Sequence, residues 1–138
     1  KMKIKLTAEN ADVNKYCMEA QAEEIEGPDI LDLFSTDELE QLMGVWEKAL
    51  KVGGKIILGG TDIFLLSKNI INRKIELVDI NNILYGSPKK SITSIESTKE
   101  FLISLGFEIS NIEFDYDKCL YFVEAYKLWM LRFQTKKN

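Results

Sequence analysis

The chain has 138 residues, 46% of them hydrophobic and 29% charged, with a net charge of −4, which is the composition of one folded domain spanning residues 1–138. Its basic residues are spread along the chain, which argues against nucleic acid as a partner, because phosphate binding needs a concentrated basic face. It has no histidine, which excludes Ser-His-Asp and Cys-His catalysis, and its two cysteines, Cys17 and Cys119, show no CxxC spacing, which argues against a zinc site.

In chain order, Met2 to Thr7 alternates apolar and basic residues and is expected to be a strand; Lys1 ahead of Met2 reads as a cloning remnant. Val13 to Met18 is expected to be a second short strand, and Glu19 to Glu26 a loop or a turn of helix. Gly27-Pro28 punctuates the chain, and Asp29 to Leu33 reads as the next strand. Ser35 with Glu38 then forms a capping box, flanked by Phe34 and Leu39 as a hydrophobic staple. Leu39, Leu42, Met43, Trp46, Ala49 and Leu50 recur at helical spacing, and Gly53-Gly54 is the expected helix stop. The apolar run Lys55 to Gly59 predicts a buried, parallel strand, so that Asp29 to Gly59 makes one βαβ unit.

Phe64, Leu65, Ile70 and Ile71 predict a short helix after that strand, and Leu77 to Leu84 a second one, ended by Gly86-Ser87-Pro88. Lys89 to Ile95 is loop-like, and Ser97 with Glu100 is the expected cap of a further helix that stops at Gly106. Phe107 to Tyr116 and Leu120 to Leu128 predict two strands joined by the turn Asp115 to Lys118, an antiparallel hairpin. On the second of these, Tyr121, Val123, Ala125 and Lys127 share a face. No apolar run approaches the ~18 residues of a membrane span, and no signal peptide is visible, so a cytoplasmic protein with reduced thiols and no membrane contact is expected.

Three segments carry a family likeness. Trp46-Glu47-Lys48-Ala49-Leu50-Lys51-Val52-Gly53-Gly54-Lys55-Ile56-Ile57-Leu58 resembles the W-x-x-x-L-K-P-G-G-x-L-x-I leader of the fifth strand in class I S-adenosylmethionine-dependent methyltransferases, with Val52 in place of the proline. Asp29-Ile30-Leu31-Asp32 resembles the family's fourth-strand motif. Ile83-Leu84-Tyr85-Gly86 followed by Thr98 to Ile109, and then Phe122 to Lys127, resemble its last strands and helix. The resemblance implies an α/β, Rossmann-like fold: a mostly parallel sheet, an antiparallel C-terminal hairpin strand and helices on both faces. A flavodoxin-like or other doubly wound domain is the alternative.

The first half departs from the family's pattern. No glycine-rich turn follows the first strand, where Thr7-Ala8-Glu9-Asn10 stands instead, and only about twenty residues separate Thr7 from Gly27-Pro28. If S-adenosylmethionine binds, the resemblance places it at the carboxyl ends of the strands, with Thr7, Glu9, Glu19, Ala20 and Asp29 as candidate contacts. Asp62 is placed either to contact an acceptor or to cap the next helix, and Tyr85 belongs to either an acceptor lid or a subunit contact. Gly53 and Gly54 read as structural, and Asp115 and Asp117 as turn residues. No catalytic residue and no metal ligand is named. Two functions follow: a minimal methyltransferase acting on a small-molecule acceptor, or a non-catalytic module on the same fold that binds a protein partner or a second copy of itself. The run Leu128-Trp129-Met130-Leu131 is the candidate contact for the second.

Overall fold

The computed structural model describes residues 2–72 and 93–129. Their elements are β1 (Met2–Lys5), a 3-10 turn (Val13–Lys15), β2 (Ala22–Gly27), a second 3-10 turn (Ile30–Leu33), α1 (Thr36–Ala49), β3 (Leu50–Thr61), α2 (Ile63–Ile71), α3 (Ile95–Ser104), β4 (Phe107–Asp115) and β5 (Leu120–Lys127). The strands form one sheet in the order β1-β2-β3-β5-β4. β1, β2 and β3 run parallel, and β5 runs antiparallel to both of its neighbours. The expected α/β, Rossmann-like, mostly parallel sheet with an antiparallel C-terminal hairpin is what forms. The expected helix Leu77 to Leu84 lies outside the described residues.

Four elements differ from the expectation. The strand read at Asp29 to Leu33 is instead Ala22–Gly27, and Ile30–Leu33 is a 3-10 turn. Pro28 has no N–H to give a ladder, so the strand stops before it. Three glutamates hid β2 from the hydropathy pattern. Val13 to Met18 is not a strand but a 3-10 turn started by Asp12, whose carboxylate accepts the Asn14 N–H at 3.3 Å. α1 stops at Ala49 and passes straight into β3, so Gly53-Gly54 lies within the strand and is not the helix stop. There the register shifts: Ala22 faces Leu50 but Glu24 faces Lys55, and Gly53 takes a φ of +84°. α3 is capped by Ser94, not Ser97; the Ser94 hydroxyl accepts the Ser97 N–H at 3.1 Å.

The capping box of α1 forms as read. Ser35 Oγ accepts the Glu38 N–H at 3.3 Å, and Glu38 accepts the Ser35 N–H at 2.9 Å. Its apolar side delivers Leu39, Met43 and Trp46 onto the sheet, where Ile4, Ile25, Ile56, Leu58, Tyr121, Val123 and Ala125 form the floor. Each Val, Leu, Ile and Met side chain among them contributes about 1.5–3 kcal/mol on burial. Leu102 and Leu105 from the α3 side complete this layer. Trp46 is fully buried, and its indole N–H donates to the Ala11 carbonyl at 2.7 Å, which ties the segment after β1 to the same layer.

The other face of the sheet carries a different set. The register aligns Lys3, Glu24, Lys55 and Tyr126 across four strands, then Lys5, Glu26, Ile57 and Glu124. Lys55 and Glu24 form an ion pair at 3.3 Å, and the Glu24 carboxylate, with a smaller contribution from Glu124, holds the Lys55 ammonium above its ordinary pKa. A strand with one polar and one apolar face suits a sheet solvated on one side.

Candidate functional site

In open α/β sheets, ligands sit beyond the carboxyl ends of the parallel strands. Three connections meet there in this protein: the turn after β1, the segment after β2, and the β3–α2 junction.

The turn after β1 is closed on itself. The Thr7 N–H donates to Asn10 Oδ1 at 2.5 Å, the Asn10 N–H donates to Thr7 Oγ1 at 3.2 Å, and the Asn10 amide donates to the Lys5 carbonyl at 2.8 Å. The Leu6 N–H is spent on Glu26 O at 2.7 Å. A phosphate- or nucleotide-binding turn instead points its amides at the ligand and uses glycine to let the backbone come close. Here Thr7 and Asn10 side chains take those amides.

The segment after β2 folds down onto β3. A Cβ added at Gly59 would lie 2.1 Å from the Pro28 carbonyl oxygen, and one at Gly60 would lie 3.0 Å from both Asp32 Oδ1 and Leu31 Cβ. The two glycines therefore let the 3-10 turn close over the strand end. Asp32, 4% exposed, locks it there: Oδ1 accepts the Thr61 N–H at 2.9 Å and Oδ2 accepts the Thr61 hydroxyl at 2.7 Å.

At the β3–α2 junction, Asp62 is the N-cap of α2, and the capping alternative is the one the geometry realises. Its Oδ1 accepts the Phe64 and Leu65 N–H groups, both at 2.9 Å, and its Oδ2 accepts the Ile95 N–H at 2.8 Å. One carboxylate thus joins the starts of α2 and α3. Beside it, the Tyr121 hydroxyl contacts Thr98 Oγ1 at 2.8 Å and Thr93 Oγ1 at 3.2 Å. Burial pushes the Tyr121 phenol up from its ordinary pKa; the two threonine hydroxyls oppose this, and the Asp32 and Asp62 carboxylates add to it.

Two hollows lie nearby. One, of about 160 Å³, runs between α1 and α3, with Leu39, Met43 and Phe101 as apolar walls and Thr93, Thr98 and Glu40 among its polar groups. The other, of about 320 Å³, lies between the segment after β1 and α1, with Glu9, Asp12, Lys15 and Gln41 among its lining.

The sequence candidates divide. Thr7 and Glu9 lie in the turn after β1, and Asp29 precedes the 3-10 turn after β2, so these three share the carboxyl end of the sheet. Glu19 and Ala20 precede β2 and lie at the opposite end, about 17 Å away along the strand. Ala20 has a φ of +58° and donates its N–H to the Lys48 carbonyl at 2.8 Å, at the end of α1. Tyr85 lies outside the described residues. Asp32, Thr61, Thr93, Thr98 and Tyr121 are not among the site residues expected from the sequence. The available signal was Asp32 itself, an acid between Leu31 and Leu33 in an apolar run, since a buried carboxylate needs partners.

No family model matches the chain, and no curated protein matches it by sequence. Solved structures do. A SAM-dependent methyltransferase from Archaeoglobus fulgidus superposes with a TM-score of 0.61 at 13% identity, over 88% of this chain and 66% of that one. The magnesium protoporphyrin IX methyltransferase from Synechocystis PCC 6803, with SAH bound, gives 0.56 at 14%, over 78% and 46%. This chain has a class I methyltransferase-like fold. A possible exported protein from Bordetella parapertussis also matches, at 0.62 and 18% identity, over 82% of this chain and 41% of that one. The methyltransferase-like chain thus spans between 41% and 66% of these three relatives. Among its described residues, no helix is long and apolar enough to cross a membrane.

Proposed function

We propose that this chain is a methyltransferase-like module that binds a partner and does not transfer methyl groups. The observation that carries the reading is the turn after β1. Its Thr7 and Asn10 amides are satisfied by each other's side chains, and Gly59 and Gly60 hold the segment after β2 against β3. S-adenosylmethionine does not fit such a crevice, because a ligand would have to break the turn or displace the Asp32–Thr61 bonds. Methyl transfer from a sulfonium depends mainly on alignment, so a crevice that cannot seat the cofactor supplies little.

The partner in this reading is a protein or a second copy of the chain. The candidate contact is the run Leu128-Trp129-Met130-Leu131, of which Leu128 and Trp129 are 42% and 40% exposed beyond the end of β5 and Met130 and Leu131 lie outside the described residues. Calorimetry with S-adenosylmethionine and with S-adenosylhomocysteine at millimolar concentration tests the reading. The expected result is no heat and no thermal shift with either. Saturable one-to-one binding overturns it and restores the reading as a minimal enzyme with a small-molecule acceptor.

A further inference from the structure

The hollow between α1 and α3 is separate from the turn after β1 and from the crevice that β1, β2 and β3 would offer a cofactor. Its walls are apolar, from Leu39 and Met43 on α1 and Phe101 on α3. The described polar residues along it are Thr36, Glu40, Thr93, Ser97 and Thr98. The hydroxyls of Thr93 and Thr98 are both held by one buried partner, the Tyr121 hydroxyl, at 3.2 Å and 2.8 Å. A hydroxyl carries one donor and two acceptor sites, so each threonine keeps capacity beyond its contact with Tyr121. The positions of both are fixed before any ligand arrives, which lowers the ordering cost of binding.

We propose that this groove is a binding site for a small primary amine carried on an apolar body. An ammonium has three donors and no acceptor. Residues able to accept them stand along the groove: Glu40 with its carboxylate, and Thr36, Thr93, Ser97 and Thr98 with their hydroxyls. None of its described lining residues is basic. The volume, about 160 Å³, is below the ~300–1,000 Å³ of drug-sized sites, which limits the occupant to a fragment of a few carbons.

Three ring compounds of one shape and different head groups test the site: cyclohexylamine, cyclohexanol and cyclohexanecarboxylate. Each is titrated into the full chain with methyl-labelled leucine and methionine, observed by NMR. The expected result is saturable shifts of Leu39 and Met43 with the amine, weaker shifts with the alcohol and none with the carboxylate. Glu40→Gln, at an exposed position, and Thr98→Val, of nearly equal shape, are each expected to weaken the amine roughly tenfold. Equal response to all three probes, no response to any, or a response that neither substitution changes overturns the proposal. Failure here leaves the closed cofactor crevice untouched, because that reading stands on the separate titration with S-adenosylhomocysteine.

Discussion

Asp32 and Thr61 are bonded twice, backbone N–H to Oδ1 at 2.9 Å and hydroxyl to Oδ2 at 2.7 Å, with both residues buried. The pair latches the 3-10 turn after β2 to the last residue of β3. Hydrogen bonds to a charged acceptor contribute about 1.5–3 kcal/mol each, and leaving their donors buried and unmet costs about as much. Asp32→Ala is therefore expected to lower stability by about 3 kcal/mol, read as a shift of the urea midpoint at unchanged slope. Thr61→Val keeps the backbone bond and removes only the hydroxyl bond, so it should cost about half as much. Equal costs for the two would mean that the Asp32 carboxylate does not hold this turn.

A second buried charge sits at the far end of the sheet. Lys127, on the apolar face of β5, places its ammonium 3.3 Å from the Glu47 carboxylate and donates to the carbonyls of Glu47 and, at 2.7 Å, of Leu50. It thereby satisfies carbonyls that the end of α1 leaves open. Removing one member of a buried pair costs about 3–5 kcal/mol, because the other is left charged and dry. Lys127→Met alone should cost about that much. Lys127→Met with Glu47→Leu should recover much of it, since an apolar pair of similar volume replaces both charges. Chemical denaturation of the two variants measures the difference.

These two pairs mark where the sequence was legible and where it was not. The capped helix from Ser35, the burial of Trp46 and the final hairpin follow from local rules: a capping box, a helical period and a turn between alternating runs. β2 did not, because Glu23, Glu24 and Glu26 give it the composition of a loop. Only the sheet explains them, since Glu24 pairs with Lys55 on the polar face while Ile25 points into the core. Gly53-Gly54 was assigned as a helix stop because glycine at that spacing usually is one; the helix in fact ends at Ala49 and the glycines serve a register shift in β3. Asp62 was legible as a cap, but its third bond, to Ile95, joins segments 33 residues apart, and no local pattern announces it. Tyr121 was placed on the correct face of β5; its hydroxyl contacts come from Thr98 of α3 and from Thr93, two residues ahead of that helix, which only packing brings close.

Two glycines test opposite expectations. A Cβ at Gly59 would meet the Pro28 carbonyl oxygen at 2.1 Å, a backbone atom that cannot swing away. Gly59→Ala is expected to force β3 and the segment after β2 apart, at a cost of about 3 kcal/mol or more. Gly44 lies within α1 with nothing within 4 Å of an added Cβ, so Gly44→Ala should stabilise by about 0.5–1 kcal/mol through helix propensity. Thermal melts of the two variants should move in opposite directions. A neutral Gly59→Ala would show that the segment after β2 does not press on β3, and the closed crevice would then rest on the turn after β1 alone.

The Tyr121 phenol links this region to pH. Burial, with the Asp32 and Asp62 carboxylates adding to it, raises its pKa in the folded chain above the ordinary 10.0. Below about pH 10 both folded and unfolded chains keep the proton, and the contribution to stability is complete. As the pH rises from there through the folded-state value, the unfolded chain releases the proton and the folded chain holds it, so stability falls. Tyr121→Phe removes the group that titrates. At roughly pH 8 the variant should be less stable by about 1–2 kcal/mol, because the Thr93 and Thr98 hydroxyls lose a buried partner. Between roughly pH 8 and pH 11, however, it should lose less stability than the parent, since both share every other titrating group. Urea midpoints of the two proteins at both pH values give the comparison. Parallel losses would mean that the phenol ionises as readily in the folded chain as in the unfolded one, and that the two carboxylates do not reach it.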